Sequence, residues 1–116
     1  MITNATIVSI AAAPQRDNDG GMTAAAPAAA DIRVFLDVPR RAQLVALADV
    51  VSEATAVMMV PITKAGEIVK GGFVRVRLDK ADAPDSEGRL YEVRHRTDYV
   101  KNSSLDHAEV FLKGGI

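Results

Sequence analysis

The constraint that most limits this chain lies in its last third, GRLYEVRHRTDYVKNSSLDHAEVFLKG, residues 88–114. Tyr91, Val93 and, by the same count, Tyr99 fall at alternate positions. Ala108, Val110 and Leu112 do the same after a polar break at Lys101, Asn102, Ser103 and Ser104. Period-two alternation on either side of turn residues predicts two long strands joined tightly. It would turn one set of side chains to a buried face and send Glu92, Arg94 and Arg96 to the other. A two-stranded ribbon is marginal alone in water, so the rest of the chain must supply more strands or a helix.

Upstream, ATIVSIA at Ala5–Ala11 is short and rich in β-branched residues, which predicts a strand. DIRVFLD at Asp31–Asp37 sets Ile32, Val34 and Leu36 against Arg33 and Phe35, a second strand. Between them, Pro14–Ala30 carries two prolines, Gly20-Gly21 and only Met22 as a large aliphatic residue. Such a segment buries too little to order itself and reads as a long loop or a partner-binding arm.

The period then changes. Leu44, Leu47, Ala48 and Val51 fall on one face of a helix over Pro39–Val51, with Asp37 as N-cap. Ala54–Ile62 is an apolar strand that ends or bulges at Pro61, which cannot donate to a ladder. Its neighbours Met58 and Met59 point to opposite faces. Thr63–Gly72 is a connection with a short extended piece at Glu67–Val69 and a Gly71-Gly72 turn. FVRVRLD at Phe73–Asp79 is a clean strand, Val74, Val76 and Leu78 inward and Arg75 and Arg77 outward. Lys80–Gly88 is a polar, turn-rich loop.

About six strands and one helix, without strand–helix alternation, exclude a doubly wound parallel sheet. The expected fold is mainly β: a small antiparallel β-barrel with one short α-helix and long protruding loops at 14–30 and 63–72. At 116 residues it forms a single domain. Much of the 48% apolar content is alanine, and only 3 Phe and 2 Tyr are present, so the core should be thin and aliphatic.

The chemistry is sparse. With no cysteine there are no disulfides and no thiolate metal sites. A net charge of −1 gives the whole molecule no attraction for nucleic acid beyond a local patch. The patch on offer is Arg75, Arg77, Arg94 and Arg96, interleaved with Asp79, Glu92 and Asp98. The two histidines, His95 and His107, sit one on each closing strand and could meet as an acid–base or metal pair. No phosphate loop or nucleophile elbow is present, no enzymatic activity or cofactor is expected, and no run is long enough to span a membrane. MITNATIVSI lacks a basic n-region, so a signal peptide is not expected and the chain should be made in the cytosol.

The order of elements, with "DIRVFLDVPRRAQ", "KGGFVRVRL" and the run Leu105-Asp106-His107 leading to Glu109-Val110, resembles the small head-closure (stopper) proteins of the head–tail connector in long-tailed bacteriophages and gene transfer agents. The resemblance implies a virion protein, assembled in the host cytoplasm as a six- or twelve-fold ring at the head–tail interface. Its partners would be an adaptor or portal protein above, a tail-terminator protein below and packaged double-stranded DNA, held without sequence preference. It implies retention of DNA and tail docking, with no cofactor or membrane. By position, the two loops would make the contacts, which singles out Gly20, Gly21, Met22, Lys64, Glu67 and Lys70, with Arg75 and Arg77 on the neighbouring strand. The alternatives are a tail-terminator-type ring protein and a small nucleic-acid-binding β-barrel.

Overall fold

The computed structural model describes residues 2–16, 22–23, 26–38, 54–79, 88–101 and 105–114. Among the described residues there are eight strands: β1 (Ala5–Ala11), β2 (Gln15–Arg16), β3 (Met22–Thr23), β4 (Ala28–Asp37), β5 (Ala56–Pro61), β6 (Phe73–Leu78), β7 (Arg89–Tyr99) and β8 (His107–Gly114). Six of them close into an antiparallel barrel in the order β1-β4-β5-β8-β7-β6, while β2 and β3 form a separate two-stranded ribbon. Closure pairs β1 with β6 from Ala5 opposite Leu78 to Ala11 opposite Phe73, so the barrel wall has no free first or last strand.

The predicted strands are therefore present, with two differences at their edges. β4 begins at Ala28, so the end of the expected 14–30 loop is barrel wall, and the loop itself contains the β2–β3 ribbon. Among the described residues the only helical element is a 3-10 turn at Ile62–Lys64; the helix expected over Pro39–Val51 lies outside the described residues, as does most of the Lys80–Gly88 loop. None of the described helical segments is long and apolar enough to cross a membrane.

The core follows from strand alternation. Ala56, Met58 and Val60 of β5 face Ala108, Val110 and Leu112 of β8 across the ladder, and all six are buried. Ile7, Val34, Val74, Val76 and Val93 complete a lining of mostly β-branched side chains, thin as the composition implies. Met58 is fully buried while Met59 faces outward and is half-buried. Phe111, the largest buried side chain, lies outside this core. It points outward from β8 and packs with Val57 and Ala54 in a second cluster.

Two bulges set which residues face inward. In β1 the register slips between Ile7 and Ser9, which lets Ile7 and Ile10, three positions apart, both reach the core. In β7 it slips between Val93 and His95. Beyond that point every side chain is turned to the face opposite the one that uninterrupted alternation assigns. Arg96 now pairs with Val110 on the inner side, and Tyr99 pairs with His107 on the outer side. The expectation that Arg96 faces outward and Tyr99 inward is thus reversed.

Candidate functional site

One end of the barrel is closed by the 62–72 connection. Its 3-10 turn is joined to the closing hairpin by the Ile62 N–H, which donates to the Asp106 carbonyl at 3.2 Å. Ala65 and Ile68 are buried and belong to the core cluster. The Gly71 N–H donates to the Val93 carbonyl and the Val93 N–H to the Gly72 carbonyl, both at 2.8 Å, which fastens the far side to β7. Arg96, brought inward by the bulge, donates from Nη1 to the carbonyls of Ala65 and of Ile68, the latter at 2.9 Å. The segment expected to protrude is therefore a strap folded across the barrel end. Its side chains Thr63, Lys64, Glu67, Val69 and Lys70 stand in solvent.

The root of the other candidate loop lies beside this strap. A Cβ on Gly72 would come within 2.6 Å of the Ala11 carbonyl oxygen, so the strap can pass β1 only because this residue has no side chain. Gly71 takes φ +86° in the turn expected at this Gly-Gly pair. Met22 opens β3, paired with Arg16, while Gly20 and Gly21 lie outside the described residues. The structure thus brings the bases of the 14–30 and 63–72 segments to one end.

The tip of the β7–β8 hairpin stands at that same end. The Tyr99 ring stacks on His107 with centroids 5.1 Å apart, and the Lys101 N–H donates to Asp106 Oδ1 at 2.8 Å. Tyr99, Val100 and Leu105 are 44%, 56% and 67% exposed, a cluster of large apolar side chains in water. Sequence inspection passed over them because Leu105 sits in a polar turn and Tyr99 alternates with core residues until the bulge intervenes.

The two histidines do not meet. His95 pairs with Phe111 and approaches Thr97 Oγ1 at 3.1 Å, whereas His107 lies opposite Tyr99, four positions further along β7 or about 13 Å. Among the described residues no group of three or more His, Asp or Glu side chains could hold a metal ion.

The arginine face is smaller than the sequence implied. Arg75 and Arg77 do point outward from β6, but Arg75 is half-buried and donates to the Gly88 carbonyl at 3.1 Å. Arg94 reaches Glu92 at 3.3 Å. Arg77 is exposed, and across Thr6 from it lies Arg33 of β4, since Thr6 pairs with both. Arg33 in turn meets Asp79 Oδ2 at 3.2 Å, and the Thr6 hydroxyl donates to Asp79 Oδ1 at 2.8 Å. The result is a mixed face on which Arg33 and Arg77 are exposed cations.

At the opposite end of the barrel the described residues line a cavity. Its volume is about 320 Å³, and it is lined by Leu36, Asp37, Val38, Ala56, Leu78 and Tyr91, with Asn4 and Thr55 at its edge. Most of its polar groups are engaged within the wall. The Asn4 side chain mimics a strand partner, donating to the Leu36 carbonyl at 2.8 Å and accepting the Leu36 N–H at 2.7 Å. Thr55 Oγ1 accepts the Gly114 N–H at 2.7 Å.

No protein-family model matches this chain, and no curated protein or solved structure matches it either.

Proposed function

We propose that this protein is a structural component of a virion's head–tail interface, a ring subunit that retains packaged DNA and docks the tail. The sequence resemblance suggests the setting. The observation that carries the reading is the gathering of strap, arm root and hairpin tip at one end of a closed barrel, exposing Lys64, Glu67, Lys70, Tyr99, Val100 and Leu105 together. A rigid wall with contact-bearing connections on one end suits a part completed by its neighbours. The role needs no catalysis and no cofactor, and its partners would be an adaptor or portal protein on one side and a tail-terminator protein on the other.

The test is mass spectrometry of purified DNA-filled particles from the source, with and without the gene. Presence at a small fixed copy number, with tailless heads that lose DNA when it is deleted, is the expected result. Its absence from particles overturns the reading.

A second reading, a nucleic-acid-binding barrel, draws on Arg77 and Arg33 flanking Thr6 on the outer wall. It requires duplex or single-strand binding that weakens steeply with salt and drops on Arg77→Ala. The interleaved Asp79 and the near-neutral charge argue for the first reading.

A further inference from the structure

Barrel closure leaves one stretch of strand without a neighbour among the described residues. β4 pairs with β1 between Ala28 and Val34, but with β5 only at Phe35, Leu36 and Asp37. The side chains of β4 alternate without a break. Ala30, Ile32, Val34 and Leu36 pack on the core, while Ala29, Asp31 and Arg33 are exposed. The backbone groups alternate with them. Val34 and Leu36 turn theirs to β1, where the Asn4 N–H donates to the Val34 carbonyl and the Asn4 amide engages both groups of Leu36. Ala29 and Asp31, at odd positions, therefore turn theirs to the β5 side, as Phe35 and Asp37 do opposite Met59 and Val57. Neither has a hydrogen-bond partner there among the described residues.

The cause is Pro61. Continuing the register from Phe35 and Met59 by two residues sets Pro61 against Arg33, and proline has no N–H to give to the Arg33 carbonyl. The next N–H, that of Ile62, donates to Asp106 on the other side, and the chain leaves the wall in the 3-10 turn. β4 thus presents the N–H and C=O groups of Ala29 and Asp31, about 6.8 Å apart, to a place where β5 does not reach. The half-buried Ala30 and Ile32 border that place on the inner side, and the Asp31 carboxylate stands on the outer side.

We propose that this edge takes an extended segment of a second protein, added antiparallel to β4 in line with β5. Main-chain hydrogen bonds to Ala29 and Asp31 hold it, and alternate side chains select it. Those beside Ala30 and Ile32 are apolar, and the one opposite Asp31 is Lys or Arg. The side chains of Ala28, Ala29 and Ala30 are single methyl groups, which leaves the approach unobstructed. A second copy of this chain is the poorer occupant. In every register that satisfies both residues, its own Asp31 would stand opposite or diagonal to the first, a like-charge contact. The contact does not rest on the virion reading and would survive its failure.

The test begins with hydrogen exchange of the purified full chain alone. The Ala29 and Asp31 amides should exchange at least about tenfold faster than those of Ile32 and Val34, which face β1. The pentapeptide acetyl-Val-Lys-Val-Thr-Val-amide, titrated to about 1 mM, should shift the Ala29 and Asp31 amide resonances and slow their exchange. The same peptide N-methylated at Lys and Thr lacks the donors for the Asp31 and Ala29 carbonyls and should not bind. Glu in place of the peptide Lys should weaken binding by roughly three- to fivefold, the scale of an exposed ion pair, and Asp31→Lys in the protein should reverse that preference. Asp31 is exposed, so this variant should keep the wild-type melting curve. Ala29 and Asp31 amides protected in the chain alone, no binding of the pentapeptide, equal binding of the N-methylated one, or a preference that does not reverse would each overturn the proposal.

Discussion

Arg96 and Asp98, two residues apart on β7, form a two-point ion pair, Nε to Oδ1 at 2.7 Å and Nη2 to Oδ2 at 3.2 Å. The fork holds the guanidinium plane so that its remaining nitrogen, Nη1, reaches the strap carbonyls of Ala65 and Ile68. Lysine has neither the plane nor the number of donors to do both. Arg96→Ala should cost about 2–3 kcal/mol, since it leaves two carbonyls without their charged donor. Arg96→Lys should recover only part of it. Urea unfolding reads the loss, and hydrogen exchange should show the Ile68 and Gly71 amides losing protection ahead of β5 and β8.

The strap is also held by packing. Ile68 is 1% exposed, and its truncation to Ala should cost about 2–4 kcal/mol. Val69, the next residue, stands half in water, so Val69→Ala should stay within about 1 kcal/mol of the wild type. Equal effects at the two positions would mean that the strap does not cover the barrel end in solution.

Gly88, just before β7, takes φ +85°, and a Cβ there would fall 2.8 Å from the Val76 carbonyl. Gly88→Ala thus combines backbone strain with a clash against rigid main chain and should cost about 1–3 kcal/mol. Gly66 has open space around its Cβ position and an unremarkable φ, so Gly66→Ala should be near neutral by the same thermal melt.

On the outer wall, burial ranks two polar contacts of Asp79. Thr6 is 5% exposed and its hydroxyl bond is shielded, so Thr6→Val should cost about 1 kcal/mol. Arg33 is largely solvated where it meets the same carboxylate, so Arg33→Ala should cost no more than about 0.5 kcal/mol and less in high salt. Chemical denaturation at two salt concentrations separates them.

The barrel was legible because its strands obey period two over short runs, and β1, β5 and β6 begin and end within two residues of where the pattern places them. What the pattern could not show was the bulge between Val93 and His95. A bulge changes the count without changing the composition, and RHR reads the same with or without it. That one extra residue moved Arg96 from the expected surface stripe to the barrel end and put Tyr99 on the hairpin's outer face. The strap was misjudged for a related reason. Ala65 and Ile68 are single apolar residues among Lys, Gly and Glu, and only the barrel mouth they fill makes them core. Of the expected interface residues, Lys64, Glu67, Lys70 and Arg77 are exposed, whereas Arg75 is drawn into the wall by the Gly88 carbonyl.

The pairing of β1 with β6 has a consequence for how the chain is made. On a ribosome adding about 5–20 residues per second, β1 and β4 can pair early, but the partner for the other edge of β1 follows some 36 residues after β4 ends, roughly two to seven seconds later. β5 waits similarly for β8. During synthesis the nascent chain carries two open, apolar strand edges that the finished molecule lacks. The hazard of misassembly is therefore concentrated before release, and crowding of nascent chains on one message should lower the yield more than heating the completed barrel does.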